Sequence, residues 1–119
     1  MSRLRFILAA GLVALVGAAG TSAATPKLTG TTGPDSGFTI KLTKAGKKVT
    51  KLPAGKYTIV VKDTASTHNF HLIGPGVNKK TTVGGKGTKT WTVTLKKGKY
   101  TYQCDPHAKL GMKGSFIVS

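Results

Sequence analysis

Three side chains that can bind a soft metal ion lie within nine residues near the end of the sequence: the Cys104 thiol, the His107 imidazole and the Met112 thioether. Two histidines, a cysteine and a weak axial methionine form the ligand set that suits copper in electron transfer. Zinc accepts similar donors, but it favours a tetrahedron of cysteine, histidine and carboxylate ligands, whereas a thioether selects copper, Cu(I) above all. The spacing therefore predicts a copper site.

The fourth ligand must be one of the two remaining histidines, His68 or His71. They are three residues apart, so on a strand their side chains face opposite sides of the sheet. His68 shares its parity with the apolar residues Phe70 and Leu72, whereas His71 shares its parity with the polar residue Asn69. A ligand that points inward should follow the apolar side. We therefore predict that His68 is the ligand and that His71 is a surface or edge histidine.

Each of these residues alone has a simpler explanation. A lone histidine is more often a hydrogen-bonded structural residue, and a methionine near a strand end more often packs in the core. Cys104 is the only cysteine in the chain, so it could be an inert buried residue or pair with a second chain. The close spacing of three soft donors favours a shared metal site over these separate explanations.

The elements that must position these residues are short strands. Alternating apolar and polar residues recur roughly every eight to twelve residues with turn signals between them, which predicts an all-β sandwich or barrel. Cys104 ends one predicted strand on its inward side, and Pro106 restricts the loop that follows. Residues 96–99 are predicted to form a hairpin turn, and residues 78–89 to be mostly loop. The predicted core consists of Phe38, Ile40, Tyr57, Ile59, Val61, Phe70, Leu72, Trp91, Val93, Leu95, Tyr100, Tyr102, Phe116 and Val118.

Residues 1–24 have the features of a secretory signal peptide. Arg3 and Arg5 precede an uncharged run over residues 6–20, and residues 22–24 are small. The run is shorter than the roughly 20 residues that a membrane-spanning helix needs, which favours cleavage over a retained anchor. We therefore expect an exported protein that is periplasmic, extracellular or associated with the cell envelope.

The remaining chain divides into two parts. Residues 25–36 are rich in threonine, glycine and proline with little apolar content, and they are predicted to be a flexible N-terminal segment. Residues 37–119 carry all the predicted core residues and form the predicted copper-binding domain.

The charge of the chain is strongly positive. It has 19 basic and 3 acidic residues and a formal net charge of +16. Such a field attracts anionic partners, although alternating lysine and threonine residues also suit a solvated sheet face. Arginine, which reads guanine through paired hydrogen bonds, is absent after residue 5, so nucleic acid is not an expected partner. We expect a monomer that meets an acidic redox protein, with possible association with an anionic cell envelope.

Residues 104–112, which read Cys-Asp-Pro-His-Ala-Lys-Leu-Gly-Met, resemble the ligand loop of the plastocyanin-like cupredoxins, the type 1 blue copper proteins. The Cys-x2-His-x4-Met spacing of that loop is intact. The pair His68-Asn69 resembles the upstream His-Asn pair of the same family, and residues 52–57 and 95–104 are similar with less specific patterns. The resemblance covers residues 37–119. It departs from the family in the extra His71 and the high lysine content.

The resemblance implies a Greek-key β-sandwich that holds one type 1 copper ion. The implied ligands are His68, Cys104, His107 and, in the axial position, Met112. Asn69 and Asp105 would support the ligand loop through hydrogen bonds.

His107 would be the ligand nearest to solvent and the port through which electrons pass, framed by Pro75, Pro106 and Leu110. The implied function is that of a mobile one-electron carrier and not of an enzyme, since four protein ligands leave no open position for a substrate. The alternatives are a copper-binding protein for trafficking or resistance without electron transfer, and a copper-free adhesion module.

Overall fold

A computed structural model of the protein describes residues 25–119, and the predicted signal peptide, residues 1–24, lies outside the described residues. Residues 25–119 form ten strands and one short 3-10 helix. The strands are β1 (Lys27–Thr32), β2 (Ile40–Lys44), β3 (Lys47–Lys48), β4 (Lys51–Leu52), β5 (Gly55–Asp63), β6 (His71–Gly74), β7 (Val77–Lys80), β8 (Gly87–Leu95), β9 (Gly98–Gln103) and β10 (Lys113–Val118). The 3-10 helix, Asp105–Leu110, connects β9 to β10. Within residues 25–119, no helix has the length and apolar character needed to cross a membrane.

The strands form two five-stranded sheets that pack face to face. The order is β3-β2-β1-β5-β8 in one sheet and β4-β10-β9-β6-β7 in the other. Most neighbours are antiparallel, whereas β1 runs parallel to β5 and β4 runs parallel to β10. The predicted all-β, Greek-key sandwich is confirmed.

The segment predicted to be flexible contains strand β1, so that prediction is corrected for residues 27–32. β1 lies between β2 and β5 inside its sheet. Of its buried residues Leu28, Gly30 and Thr32, only Leu28 is large and apolar, so the segment lacks the repeated apolar residues that indicate a strand. A Cβ atom at Gly30 would lie only 2.8 Å from Phe70 Cζ, so glycine makes room for the buried ring. Thr32 Oγ1 donates to Asp63 Oδ1 at 3.1 Å. The folded domain therefore begins at Lys27 and not at residue 37.

Two predicted connections also differ from the structure. Residues 96–99 do not close a hairpin, because β8 pairs with β5 in one sheet and β9 pairs with β6 and β10 in the other. The chain instead crosses from one sheet to the other here. The Tyr100 hydroxyl holds this connection, because it accepts from the Lys96 backbone N–H and donates to the Pro75 carbonyl, both at 2.8 Å. Residues 78–89 are partly strand, since β7 continues to Lys80 and β8 begins at Gly87.

The core lies between the two sheets and contains most of the predicted residues. Phe38 is an exception, with 53% of its surface exposed, and Ile40 and Trp91 are only half-buried. Trp91 is on β8, an edge strand, so one side of its ring has no neighbouring strand. Further buried residues that the alternation did not place in the core are Leu28, Leu42, Val49, Leu52 and Val77.

Four connecting segments collect at one end of the sandwich. The register pairs Lys113 with Gln103 in one sheet and Thr32 with Asp63 in the other, so these strand ends lie at the same level. The connections there are residues 33–39, 64–70, 81–86 and 104–112. We call this the ligand end, because His68 and residues 104–112 lie in it.

Candidate metal centre

The loop between β9 and β10 closes on itself through backbone hydrogen bonds. The His107 N–H donates to the Cys104 carbonyl at 3.1 Å, and the Met112 N–H donates to the His107 carbonyl at 3.3 Å. The Cys104 N–H donates to the Met112 carbonyl at 3.1 Å. Gly111, with a φ of 94°, ends the 3-10 helix in the left-handed conformation that glycine adopts without strain. The loop therefore holds the backbones of Cys104, His107 and Met112 next to one another.

His68, Cys104 and His107 bring three ligand atoms together. Cys104 Sγ lies 3.6 Å from His68 Nδ1 and 3.4 Å from His107 Nδ1, and the two Nδ1 atoms are 3.0 Å apart. The point equidistant from all three lies about 1.9 Å from each, close to the roughly 2.0–2.3 Å of bonds from a transition metal to imidazole nitrogen and thiolate sulfur. The triangle therefore has the size that one metal ion requires.

The hydrogen bonds of His68 fix which of its nitrogens can bind a metal. Its Nε2 lies 2.7 Å from the Gly37 carbonyl oxygen and 3.1 Å from the Pro34 carbonyl oxygen. Since both oxygens are acceptors, Nε2 must carry the proton. In the neutral imidazole, Nδ1 is then unprotonated, and its lone pair is directed at the point shared with Cys104 and His107. Backbone atoms of the 33–39 connection thus prepare His68 as a ligand.

Met112 is fully buried at the same end of the molecule. Its backbone bonds to Cys104 and His107 place it beside the other two loop residues. The structure therefore brings His68, Cys104 and His107 into one cluster and Met112 next to it, and the axial role of the thioether stays a prediction.

Asn69 connects the segment that contains His68 to the ligand loop. It is buried, and its side-chain oxygen accepts from the Asp105 N–H at 2.8 Å. Its Nδ2 donates to Asp105 Oδ2 at 2.9 Å and to the Thr81 carbonyl at 3.3 Å. Because Asp105 directly follows Cys104, these bonds set the distance between the His68 segment and the cysteine.

Asp105 collects further donors on its other oxygen. His71 Nδ1 donates to Oδ1 at 2.8 Å, and Gln103 Nε2 donates to it at 2.9 Å. Partial burial alone would raise the pKa of Asp105, but the hydrogen bonds from Gln103, His71 and Asn69 outweigh it and lower the pKa to about 2. The carboxylate therefore stays ionised and holds the donors around the loop.

His71 lies outside the cluster of converging ligands, although it is less exposed than a surface histidine. Only 14% of its side chain is exposed, and its second nitrogen, Nε2, lies 2.6 Å from Asn78 Oδ1. His71 thus links β7 to the ligand loop through Asp105. Parity along a strand does not predict this contact, because it depends on where the ligand loop places Asp105.

Phe38 covers one face of the His107 ring. The two rings stack with their centroids 4.7 Å apart and their planes 30° from parallel, and Phe38 also meets the edge of His68. This contact explains why Phe38 is exposed although its parity predicted the core. Leu110, 64% exposed, and Pro106, also exposed, lie in the same loop as His107. Their role in framing an electron port stays a prediction.

Pro75 is not part of this surface, which corrects the expectation drawn from the resemblance. Its carbonyl accepts from the Tyr100 hydroxyl, and its ring lies against Gly98, the first residue of β9. Both contacts are at the end of the sandwich opposite His107, because Gly98 begins the strand that ends at Gln103.

Comparison with known proteins agrees with this geometry. A sequence model of the copper-binding plastocyanin/azurin family matches residues 36–119. The fold is similar to that of dithionite-reduced auracyanin from Roseiflexus castenholzii, with 21% identity, a TM-score of 0.58 and coverage of 82% of this chain and 99% of that chain. It is also similar to rusticyanin from Thiobacillus ferrooxidans, with 21% identity, a TM-score of 0.60 and coverage of 82% and 79%. No curated protein sequence matches the chain.

Proposed function

The chain belongs to the plastocyanin/azurin family of copper-binding proteins, and we propose that it is an exported one-electron carrier whose type 1 copper is held by His68, Cys104, His107 and Met112. When bound, copper supplies the one-electron chemistry by alternating between Cu(I) and Cu(II). Export rests on the leader predicted at residues 1–24.

The observation that carries the proposal is the convergence of three ligand atoms from two separately supported segments. His68 is held by the carbonyls of the 33–39 connection, and Cys104 and His107 are held by the closed loop. Asn69 ties the two segments together. Ligands fixed in this way keep nearly the same positions when the charge of the bound ion changes, and a small rearrangement is what rapid electron exchange needs.

The composition of the ligand set favours a carrier over an enzyme. Two imidazoles, a thiolate and a thioether from the chain would fill the coordination positions of the ion. A catalytic metal site keeps one position open for water or substrate. The donor set therefore supports electron transfer without catalysis.

The His107 side of the ligand end supports a docking surface for the redox partner. His107 is half-buried, and the exposed apolar residues Phe38 and Leu110 border it. A partner that packs on this surface would come close to a ligand without touching the ion. The positive charge of the chain would steer an acidic partner into a short-lived encounter that weakens as salt is added.

Repeated redox cycling tests the carrier function. Copper-loaded protein is reduced with ascorbate and reoxidised with ferricyanide while a Cu(I) chelator is present and the visible absorbance is followed. A carrier regains the same absorbance in every cycle, because its ligands hold both oxidation states. Loss of the copper to the chelator on the first reduction would overturn the proposal and indicate a trafficking protein.

Two matched variants test the choice of histidine, since each removes one imidazole. His68→Ala should abolish the cupric thiolate absorbance, because it removes one of the three converging nitrogen and sulfur atoms. His71→Ala should leave that absorbance almost unchanged, because His71 contacts the loop only through Asp105. The opposite pattern would show that the ligand assignment is wrong.

A further inference from the structure

Lysine side chains crowd the end of the sandwich opposite the ligand loop, which we call the lysine end. Nine exposed lysines lie there: Lys27, Lys44, Lys47, Lys48, Lys51, Lys56, Lys96, Lys97 and Lys99. They lie at the strand ends and short strands that meet there, in β1 to β5 and β9, and in the connection from β8 to β9.

The strand register places these lysines close together. Lys44 pairs with Lys47 at the turn between β2 and β3. Lys51 and Lys99 both pair with Ile117, one on each side of β10. The lysine end thus draws its charge from both sheets and spreads it over one whole face of the molecule.

The acidic side chains are all at the other end. The chain has three of them, Asp35, Asp63 and Asp105. Asp35 accepts from the Thr67 backbone and hydroxyl, and Asp63 accepts from the Ala65 backbone. Both therefore lie at the ligand end, Asp35 in the 33–39 connection and Asp63 as the last residue of β5, and Asp105 lies there too. Within residues 25–119, no acidic side chain offsets the lysine end. The half nearer the ligand end holds all three carboxylates together with eight lysines, so both ends are positive and the lysine end has the larger net charge.

The two ends are electrostatically separate at physiological salt. A rise of about 3.3 Å per residue puts the first and last residues of the nine-residue strand β5 about 26 Å apart. Charges in water are screened over about 8 Å at this ionic strength. An anionic surface bound at the lysine end therefore leaves the field at the ligand end almost unchanged.

We propose that the lysine end docks on an anionic lipid bilayer and that the ligand end then faces the water. Lysines gathered on one face are attracted to the negative potential of anionic headgroups. These lysines cover a broad surface and do not converge on one pocket, which suits contact with a flat bilayer. The chain also enters the fold at this end, since β1 begins with Lys27.

Vesicle sedimentation tests this docking with copper-loaded protein recovered after export. The probes are vesicles of phosphatidylcholine alone and vesicles of equal parts phosphatidylcholine and phosphatidylglycerol. Partition onto the anionic vesicles should exceed partition onto the neutral ones and should fall as salt is added. Equal partition onto both kinds of vesicle would overturn the proposal, because the lysines would then contribute nothing.

Matched triple variants locate the contact. The variant Lys47→Gln, Lys56→Gln, Lys97→Gln neutralises three exposed lysines of the lysine end. The control Lys62→Gln, Lys80→Gln, Lys89→Gln removes the same charge from exposed lysines nearer the ligand end. A lysine at an anionic surface contributes on the order of a fivefold gain in binding, so the first variant should lose roughly a hundredfold and the control much less. An equal loss in both variants would mean that net charge alone attracts the protein, and it would refute the lysine end as the docking surface.

Other outcomes distinguish docking on a bilayer from binding to another anionic partner, and they separate the docking proposal from the proposed electron transfer. Salt-sensitive binding to a soluble anionic polysaccharide or an acidic protein, without binding to the anionic vesicles, would replace the bilayer with that partner. Reduction of the vesicle-bound protein by ascorbate should be as fast as in solution, because the ligand end faces the water. Slow reduction would contradict the orientation. Sedimentation does not depend on redox activity, so a failure of electron transfer leaves the docking result intact.

Discussion

Asn69→Ala should destabilise the protein strongly, because this amide is the main connection between the His68 segment and the ligand loop. Asn69 is buried and uses both ends of its side chain. It accepts from the Asp105 N–H and donates to the Asp105 carboxylate and to the Thr81 carbonyl. Truncation to alanine removes all three bonds and leaves the Asp105 N–H without its protein partner.

The magnitude follows from the kinds of bond that are lost. A neutral hydrogen bond contributes about 0.5–1.5 kcal/mol and one to a charged group about 1.5–3 kcal/mol. The bond to the Thr81 carbonyl is long at 3.3 Å, so its contribution lies at the low end of the range for neutral bonds. The Asp105 carboxylate is partly exposed, so the bond to it lies at the low end of the range for charged groups. We expect the free energy of unfolding to fall by about 3 kcal/mol, a large part of the 5–15 kcal/mol typical of a whole domain.

Urea unfolding of the copper-free protein measures this loss without a contribution from metal binding. The midpoint should fall by roughly 1–3 M with an unchanged slope. Asn78→Ala is the matched control, because the exposed Asn78 side chain bonds only to His71 and should contribute less than about 1 kcal/mol. If both variants lose the same small amount, Asn69 does not hold the two segments together.

Three further predictions test the site and the fold. Cys104→Ser should abolish the visible absorbance of the copper-loaded protein while a cooperative unfolding transition remains, and a variant that keeps the blue colour would contradict the thiolate ligand. Because the pKa of Asp105 is lowered from 3.8 to about 2 in the folded protein, its contribution to stability is present above about pH 4 and is lost as the pH falls toward 2. Urea unfolding over this range should show a weaker pH dependence in Asp105→Asn, and an unchanged dependence would refute the role of this carboxylate. Gly30→Ala should lower the free energy of unfolding by about 1–3 kcal/mol, because the new Cβ atom would lie 2.8 Å from the buried Phe70 ring; a neutral effect by thermal unfolding would show that the ring moves aside freely.

Local spacing predicted the parts of the site that lie on one loop. Cys104, His107 and Met112 are close in sequence, so a short turn had to bring them together. Parity with Phe70 and Leu72 was enough to choose His68, which is fully buried although the strand begins only at residue 71. The structure brings His68 to Cys104 and His107, since the period of two in side-chain direction survives small errors in strand boundaries. The axial role of Met112 stays a prediction.

Contacts between segments distant in sequence could not be predicted in the same way. Phe38 follows the parity of a core residue but covers His107, and only the position of the ligand loop decides this. Strand β1 shows no alternation of apolar residues, because Leu28 is the only large apolar residue on its inward side and the other two are Gly30 and Thr32. Glycine there makes room for a ring 40 residues away in the chain, and threonine bonds to Asp63, which lies 31 residues away.

The visible absorption spectrum during titration with Cu(II) tests the central claim most directly, namely that His68, Cys104, His107 and Met112 close around one copper ion. The claim predicts an intense blue band from the cupric thiolate that grows until one equivalent is bound and bleaches reversibly on reduction. A protein that binds Cu(II) without this band, or that needs more than one equivalent to saturate it, would contradict the claim.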